Sequence, residues 1–412
     1  MWKQPWGYIE GWIICGGILF TGIILQSFLG KITPEAFHYP VNLIFGAVFL
    51  LLLFLFHLIS KRIKGFQWFA SYTAAFTSLS SLLLLVIIMG LTRQFSSSAD
   101  LTQENGFARI GFMQMTVSWA FILVFLYSLW ILGLVILKRA NSFTWKDTGF
   151  ILNHVGLFIT LFAAFWGSCD LERLKMTASL STPEWRATDE KKEMVELPLA
   201  IELISFTIDE YPPKLMVLDN ITGEALPKKQ PKNVSVETCP LTAELLDWDL
   251  EITRYLPSAA AIFNQDTINF SEYYAEGATC ALYVKAHNRI DKTQKEGWIS
   301  CGSYAFPYSS LRLNEKESLV MPEREPKHFA SKVMVYTQSG ETKAAIIEVN
   351  KPLSIANWKI YQLSYDEAMG KWSQHSVFEL VKDPWLPAVY IGMFMMIAGA
   401  VFLFFSAPIK GS

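Results

Sequence analysis

Residues 147–175 read DTGFILNHVGLFITLFAAFWGSCDLERLK, and this stretch divides the chain into two chemistries. It leaves a basic loop, runs apolar over 150–167 with one histidine, His154, and opens into roughly two hundred residues of ordinary soluble-looking sequence. An uncharged run of that length matches a helix crossing a hydrocarbon core of about 30 Å. The stretch is the hinge between a membrane half and a watery half.

Working outward, comparable blocks occupy 11–29, 41–59, 66–91, 117–137 and 386–406, which with 150–167 makes about six spans. They account for the composition: 412 residues, 52% of them hydrophobic and only 17% charged, with a mean hydropathy of +0.28. The fold expected is a multi-pass α-helical membrane protein of about six transmembrane helices, with an extracytoplasmic, mostly-β domain inserted before the last helix. Its parts are a membrane domain over 1–167, the β-rich domain over 168–384, and the last helix with a cytoplasmic tail over 385–412. Lys3 is the only basic residue before the first block and no small-residue cleavage site follows it, so that block reads as a retained span rather than a signal peptide. The net charge of -2, with dispersed Lys and Arg, gives no basis for nucleic-acid binding.

Short-loop positive charge sets the expected orientation. Lys61, Arg62 and Lys64 lie between the second and third spans, and Lys138, Arg139 and Lys146 between the fourth and fifth. Both loops are expected in the cytoplasm, with both termini, and 168–384 outside; in a bacterium that is an inner-membrane protein with a periplasmic domain. Tryptophans at span ends (Trp2, Trp6, Trp12, Trp68, Trp145, Trp166, Trp385) fit interfacial belts.

In the outer segment, alternation around Ile201 and Ile208, the Thr-Gly turn of KLMVLDNITGE and the Ser-Gly turn of KVMVYTQSGETKAAIIEVN predict hairpins. ATCALYVKAHNR and EGWISCGSYAF read as a further strand pair. Residues 239–256 have mixed, helix-like spacing, and 182–196 read as a solvated connector.

Cys15 falls in the first span, while Cys169, Cys239, Cys280 and Cys301 fall outside, where an even number permits disulfides. Cys280 with Cys301 is the preferred pair because they sit on candidate neighbouring strands. The absence of CxxC, CxxCH, Walker, GxSxG and HExxH patterns argues against a thioredoxin-type motif, covalent haem, a phosphate loop, a serine elbow or a zincin site. Among six histidines, His57 and His154 sit at the basic-loop ends of their spans. Two imidazoles at one depth of a bundle could ligate haem iron, and the competing reading is interfacial histidines bonded to carbonyls or headgroups. His38 could meet a ligand at the outer face but reads first as a loop residue, and His287, His328 and His375 read as surface.

Residues 348–365, EVNKPLSIANWKIYQLSY, followed by DPWLPAVYIGMFMMIAG, resemble the ResB-like (CcsB) family of System II cytochrome c biogenesis. The matching positions are Val349, Asn350, Pro352, Leu353, Ile360, Tyr361, Gln362, Ser364, Tyr365, Asp383, Pro384 and Gly392. The opening stretch and LPLAIELISFTIDEYPPK agree with it. Where the family has a glycine before the aromatic, this chain has Ala356 and Asn357 before Trp358. It also has about six spans where the family commonly has four, and it lacks the WWD motif of the CcsA partner.

The resemblance implies haem b, transiently bound by His154 or His57, carried for attachment to apocytochrome c. It further implies a CcsA-like membrane partner, a thioredoxin-like thiol reductant, and at most an accessory role in a haem-lyase complex. The alternative is a non-catalytic membrane anchor with a sensory or scaffold domain; a transporter is disfavoured because no inverted repeat or pair of broken helices is visible.

Overall fold

The computed structural model describes residues 6–95, 106–264 and 267–406; Trp2, Lys3 and the tail 407–412 lie outside the described residues. Helices α1 (Tyr8–Leu29), α2 (Val41–Ser60) and α3 (Tyr72–Leu91) are followed by the single turn α4 (Gly106–Arg109). Then come α5 (Trp119–Ala140), α6 (Thr148–Gly167) and α7 (Leu386–Ser406). All but α4 are long and apolar enough to cross a membrane, giving six spans among the described residues. This is a multi-pass membrane protein with a β-rich part before its last helix.

Where the spans begin follows from local hydrogen bonding. The Glu10 carboxylate accepts from the Gly7 amide at 2.8 Å, Ser118 Oγ from Phe121 N at 3.3 Å, and Asp383 Oδ1 from Leu386 N at 3.0 Å. Each satisfies an amide that a helix start leaves without a partner. The third apolar block is not one helix. Its first part is a 3-10 segment, Lys64–Ala70, and α3 starts afresh behind Ser71, whose hydroxyl accepts from Ala74 N. Trp68 and Trp166 are buried at 8% and 7% exposure rather than turned to lipid, while Trp145 is 75% exposed, so the aromatic belt is only partial.

The chain forms two compact units. One comprises residues 1–173, 190–192 and 381–412, the other 174–189 and 193–380. In the helical unit, glycines set the closest approaches. A Cβ added at Gly22 would lie 2.5 Å from the Ala120 backbone, tying α1 to α5. At Gly156 it would lie 2.6 Å from the Gly392 carbonyl, and at Gly399 2.6 Å from Asn153 N. Between apolar helices in lipid, such backbone proximity supplies the van der Waals contact that hydrophobicity cannot. Gly156→Val is therefore expected to force α6 and α7 apart and cost about 1–3 kcal/mol, the usual penalty of overpacking. Unfolding the purified chain by titration with sodium dodecyl sulfate measures it, and a midpoint equal to wild type would contradict the tight contact.

The second unit holds three sheets. The largest runs, in order of pairing, Thr342–Glu348, Pro326–Thr337, Met194–Glu210, Pro183–Thr188, Glu172–Ser179, His375–Lys382, Trp358–Tyr365, Leu353–Ile355. Its inward faces bury Ile201, Leu203, Val333, Val335, Ile347, Ile360 and Phe378 completely. A second sheet orders Gln294–Ser300, Thr279–Asn288, Trp248–Asn264 and Leu241–Leu245, with Thr267–Glu272 paired to the third of these. A third is built from Leu311–Arg312, Glu317–Val320, Lys214–Asp219 and Asn233–Ser235. The second and third share a core around Trp248, Ile252, Leu282 and Leu319.

Two expectations need correction. Residues 239–256 are not helical: Leu245 pairs with Trp248 across a two-residue turn, with Leu246 in the left-handed region at φ 55°. A bulge between Ile252 and Arg254 then shifts the alternation, which is why the spacing did not read as period two. The supposed connector 182–196 contains a strand, Pro183–Thr188, that pairs with both of its neighbours. The Ser-Gly hairpin is present, closing at Tyr336 opposite Thr342. At the other hairpin, Ile355 pairs with Trp358 while Ala356 and Asn357 both adopt positive φ, 47° and 67°. That is the two-residue turn whose twist suits a hairpin, made without the glycine that usually takes it.

Candidate functional site

His154 lies near the start of α6, half-buried, with its ring stacked on Phe150 at a centroid distance of 3.7 Å. Its Nδ1 is 2.9 Å from the Phe150 carbonyl oxygen. A carbonyl can only accept, so Nδ1 carries the proton, and in the neutral ring the lone pair stands on Nε2. Nε2 takes no protein hydrogen bond among the described residues. The surroundings hold the ring in place: the Arg139 guanidinium lies 5.8 Å from the Phe150 ring centroid and bonds through Nε to Asp147 at 2.8 Å. A donor to a backbone carbonyl on one nitrogen and a bare lone pair on the other is how metal-ligating imidazoles are oriented.

His57 is placed differently. It is 6% exposed near the end of α2, and its Nε2 accepts from Asn141 Nδ2 at 2.8 Å. Asn141 Oδ1 in turn accepts from Lys61 Nζ at 3.2 Å. Lys138 Nζ donates to the Ala70 carbonyl at 3.0 Å. The two basic loops are thus stitched together at one end of the bundle, and both histidines belong to that end. They are not bonded to each other; each has its own partner.

At the opposite end of the same unit stands a centre that the sequence did not reveal. Asp170, with its side chain 10% exposed, accepts from Asn42 Nδ2 at 2.6 Å, Trp385 Nε1 at 2.8 Å and Tyr39 N at 2.8 Å. Asn42, fully buried, also donates to the Trp166 carbonyl at 3.1 Å. Burial opposes ionisation of Asp170, but the hydrogen bonds from Asn42, Trp385 and the Tyr39 amide outweigh it and hold the pKa below the ordinary carboxylate value. His38 Nδ1 is 3.8 Å from Asp170 Oδ1, so the residue read as a loop histidine faces a carboxylate. The available signal was Asn42 itself, an amide in the first turn of an apolar span, where a polar side chain demands a partner.

In the β-rich unit, Cys280 and Cys301 are neighbours on adjacent strands, as expected. Both are free thiols with sulfurs 3.6 Å apart, against about 2.05 Å in a disulfide. Cys280 Sγ also lies 3.4 Å from Met321 Sδ. Both cysteines line a cavity of about 500 Å³ that also includes Glu210, Arg324, Tyr304 and Trp372. The Arg324–Glu210 ion pair is 2.7 Å long and mostly shielded from solvent. His375, expected at the surface, bonds Ser179 Oγ at 3.1 Å in an exposed position.

Some of the residues that carried the family resemblance have structural work. Asp383 caps α7, Gly392 admits the α6 backbone, and Gln362 Nε2 donates to the Ser364 carbonyl at 3.0 Å. Tyr365 packs on Phe206 and Phe329, each at 5.1 Å between centroids. No curated protein matches the chain. The model of the ResB-like family matches residues 140–375, more than half of the 412.

Proposed function

The chain belongs to the ResB-like family, which implies involvement in cytochrome c biogenesis, and from that premise we propose that it is the haem-delivering partner of a CcsA-type membrane protein. In this reading haem b is cargo. It is taken up at the basic-loop end of the bundle and passed toward apocytochrome c on the other side, where the β-rich unit holds the apoprotein or the partner. The chain is accessory to the haem-lyase reaction and does not itself form the thioether bonds.

The observation that supports it most is the state of His154. The Phe150 carbonyl fixes the proton on Nδ1, so Nε2 presents a neutral nitrogen donor of the kind haem iron accepts. His57 offers less, because its Nε2 is already engaged by Asn141. The apolar faces of α2 and α6 suit a flat hydrophobic cargo; Phe45 and Trp166 stack at 6.4 Å and Phe158 and Phe162 at 5.9 Å.

Orientation follows from the basic loops. Lys61 and Lys138 gather at one end, which the positive-inside rule assigns to the cytoplasm. The β-rich unit then belongs to the periplasmic side of an inner membrane, with both termini inside. Deleting the coding sequence is expected to abolish covalently attached haem in c-type cytochromes, read by haem-peroxidase staining of membranes. Re-expressing the full chain restores it. Normal cytochrome levels in the deletion strain would overturn the proposal.

A further inference from the structure

Four features of the β-rich unit converge on Cys280 and Cys301. The strands Thr279–Asn288 and Gln294–Ser300 pair in register as far as Ala281 opposite Ser300, so the next pair outward is Cys280 opposite Cys301. Directly opposed strand residues have Cβ atoms about 4.5–5.5 Å apart, and the sulfurs already stand at 3.6 Å. A short side-chain rotation closes the remaining distance. The two thiols differ in access, Cys280 being buried and Cys301 partly exposed, and both line the cavity of about 500 Å³. The turn behind them is rigid. Gly302 sits at φ 76°, and a Cβ there would meet Tyr308 N at 2.7 Å, while Thr279 Oγ1 donates to the Gly302 carbonyl at 2.7 Å.

We propose that Cys301 and Cys280 form a thiol–disulfide exchange centre, with Cys301 attacking and Cys280 resolving, whose substrate is a disulfide carried on a short loop of unfolded polypeptide. A partly exposed attacker beside a buried resolver gives the two sulfurs distinct roles. The cavity admits a few residues of chain but not a folded domain. The electrostatics agree: a hydrogen bond from Cys280 is the largest cause that brings Cys301 down to about 6, against the opposing effect of burial. Cys280 is pushed up by that same bond and by burial. A thiol with a pKa close to ambient pH attacks disulfides most effectively.

The Cys301 thiolate attacks one sulfur of the incoming disulfide; that S–S bond breaks, and the first peptide sulfur leaves as a thiolate, which takes the proton of Cys280. Cys280 then attacks Cys301 Sγ and expels the second peptide sulfur, which is protonated from solvent. Two electrons pass from the cysteine pair to the peptide; the pair ends as a disulfide and the peptide as a dithiol. An external dithiol reverses the change in the protein. The inference does not depend on haem. If the proposed function holds, the cysteines of an unfolded apocytochrome are the natural substrate.

The test uses the full-length chain in detergent, reduced and freed of reductant. It is mixed with a synthetic peptide bearing an intramolecular CxxCH disulfide or with oxidised glutathione, then alkylated and mapped by mass spectrometry. The peptide is expected to oxidise Cys280 and Cys301 together and faster than glutathione does, and dithiothreitol to restore both. Cys280→Ser is expected to accumulate a mixed disulfide on Cys301, and Cys301→Ser to lose exchange. An adduct on Cys280 instead, faster reaction with glutathione, a bond that resists dithiothreitol, or no reaction would each overturn the proposal. These readouts need no cytochrome, so they stand or fall separately from the deletion phenotype.

Discussion

Replacing His154 by alanine is expected to strip haem from the purified chain and to lower c-type cytochrome formation by at least about 10- to 100-fold. That range is what loss of a mere supporting partner costs a metal site, and a direct ligand should cost no less. Among the described residues of the bundle, the variant removes the imidazole whose geometry leaves a lone pair unclaimed, held by the Phe150 carbonyl at 2.9 Å. Helix packing alone cannot explain the loss if His154→Gly regains haem absorbance on adding free imidazole, because imidazole restores the ligand and not the side chain's attachment. Glycine costs the helix roughly 1 kcal/mol relative to alanine, so stability should be recorded beside the spectrum. His57→Ala is expected to do less, since its Nε2 would first have to leave Asn141. Unchanged cytochrome levels in His154→Ala would sink the role assigned to this residue and favour the membrane anchor whose histidines are incidental.

Much of this arrangement was legible because the physics that produces it is local. An uncharged run of about 20 residues has few alternatives to a spanning helix, and α2, α5, α6 and α7 lie within a few residues of the apolar blocks. Their exact starts were hidden because caps decide them; hydropathy alone carried the third span across Ser71, where a hydroxyl restarts the helix. His154 stood out as a lone imidazole in an apolar run, and its partner lies four residues back, within reach of any helix. The strand pair bearing Cys280 and Cys301 was visible too, since two β-rich runs separated by a short polar turn pair with little choice of register.

What the chain order concealed was long-range and polar. His57 meets Asn141 across 84 positions, and no periodicity encodes which amide it finds. The hairpin of 239–256 was obscured by its own bulge and by a left-handed Leu246, a conformation that leucine seldom signals. The turn at Ala356 and Asn357 similarly departs from the glycine rule while keeping the geometry the rule describes.

Asp170 is the clearest case, and it carries the second large effect. Its partners come from 39–42 and from 385, which with its own segment make three that meet only in the folded helical unit. Asp170→Ala would leave the fully buried Asn42 amide and the Trp385 indole short of an acceptor. Each orphaned donor costs about 1–3 kcal/mol, and water can replace the bond at the exposed Tyr39 amide, so a loss of about 3 kcal/mol is expected. The pH dependence has a definite sign. Because the folded pKa is depressed, the stabilisation is complete above the unfolded value of about 3.9 and is lost as pH falls through the folded one. Wild type should therefore hold its advantage over Asp170→Asn from pH 7 to about 5 and give it up only in stronger acid. Detergent-unfolding midpoints of both proteins, taken from pH 7 down into acid below the folded pKa of Asp170, decide the matter: a deficit that is absent near neutrality, or that does not shrink in the strongest acid, would mean that the ionised carboxylate is not what joins these three segments.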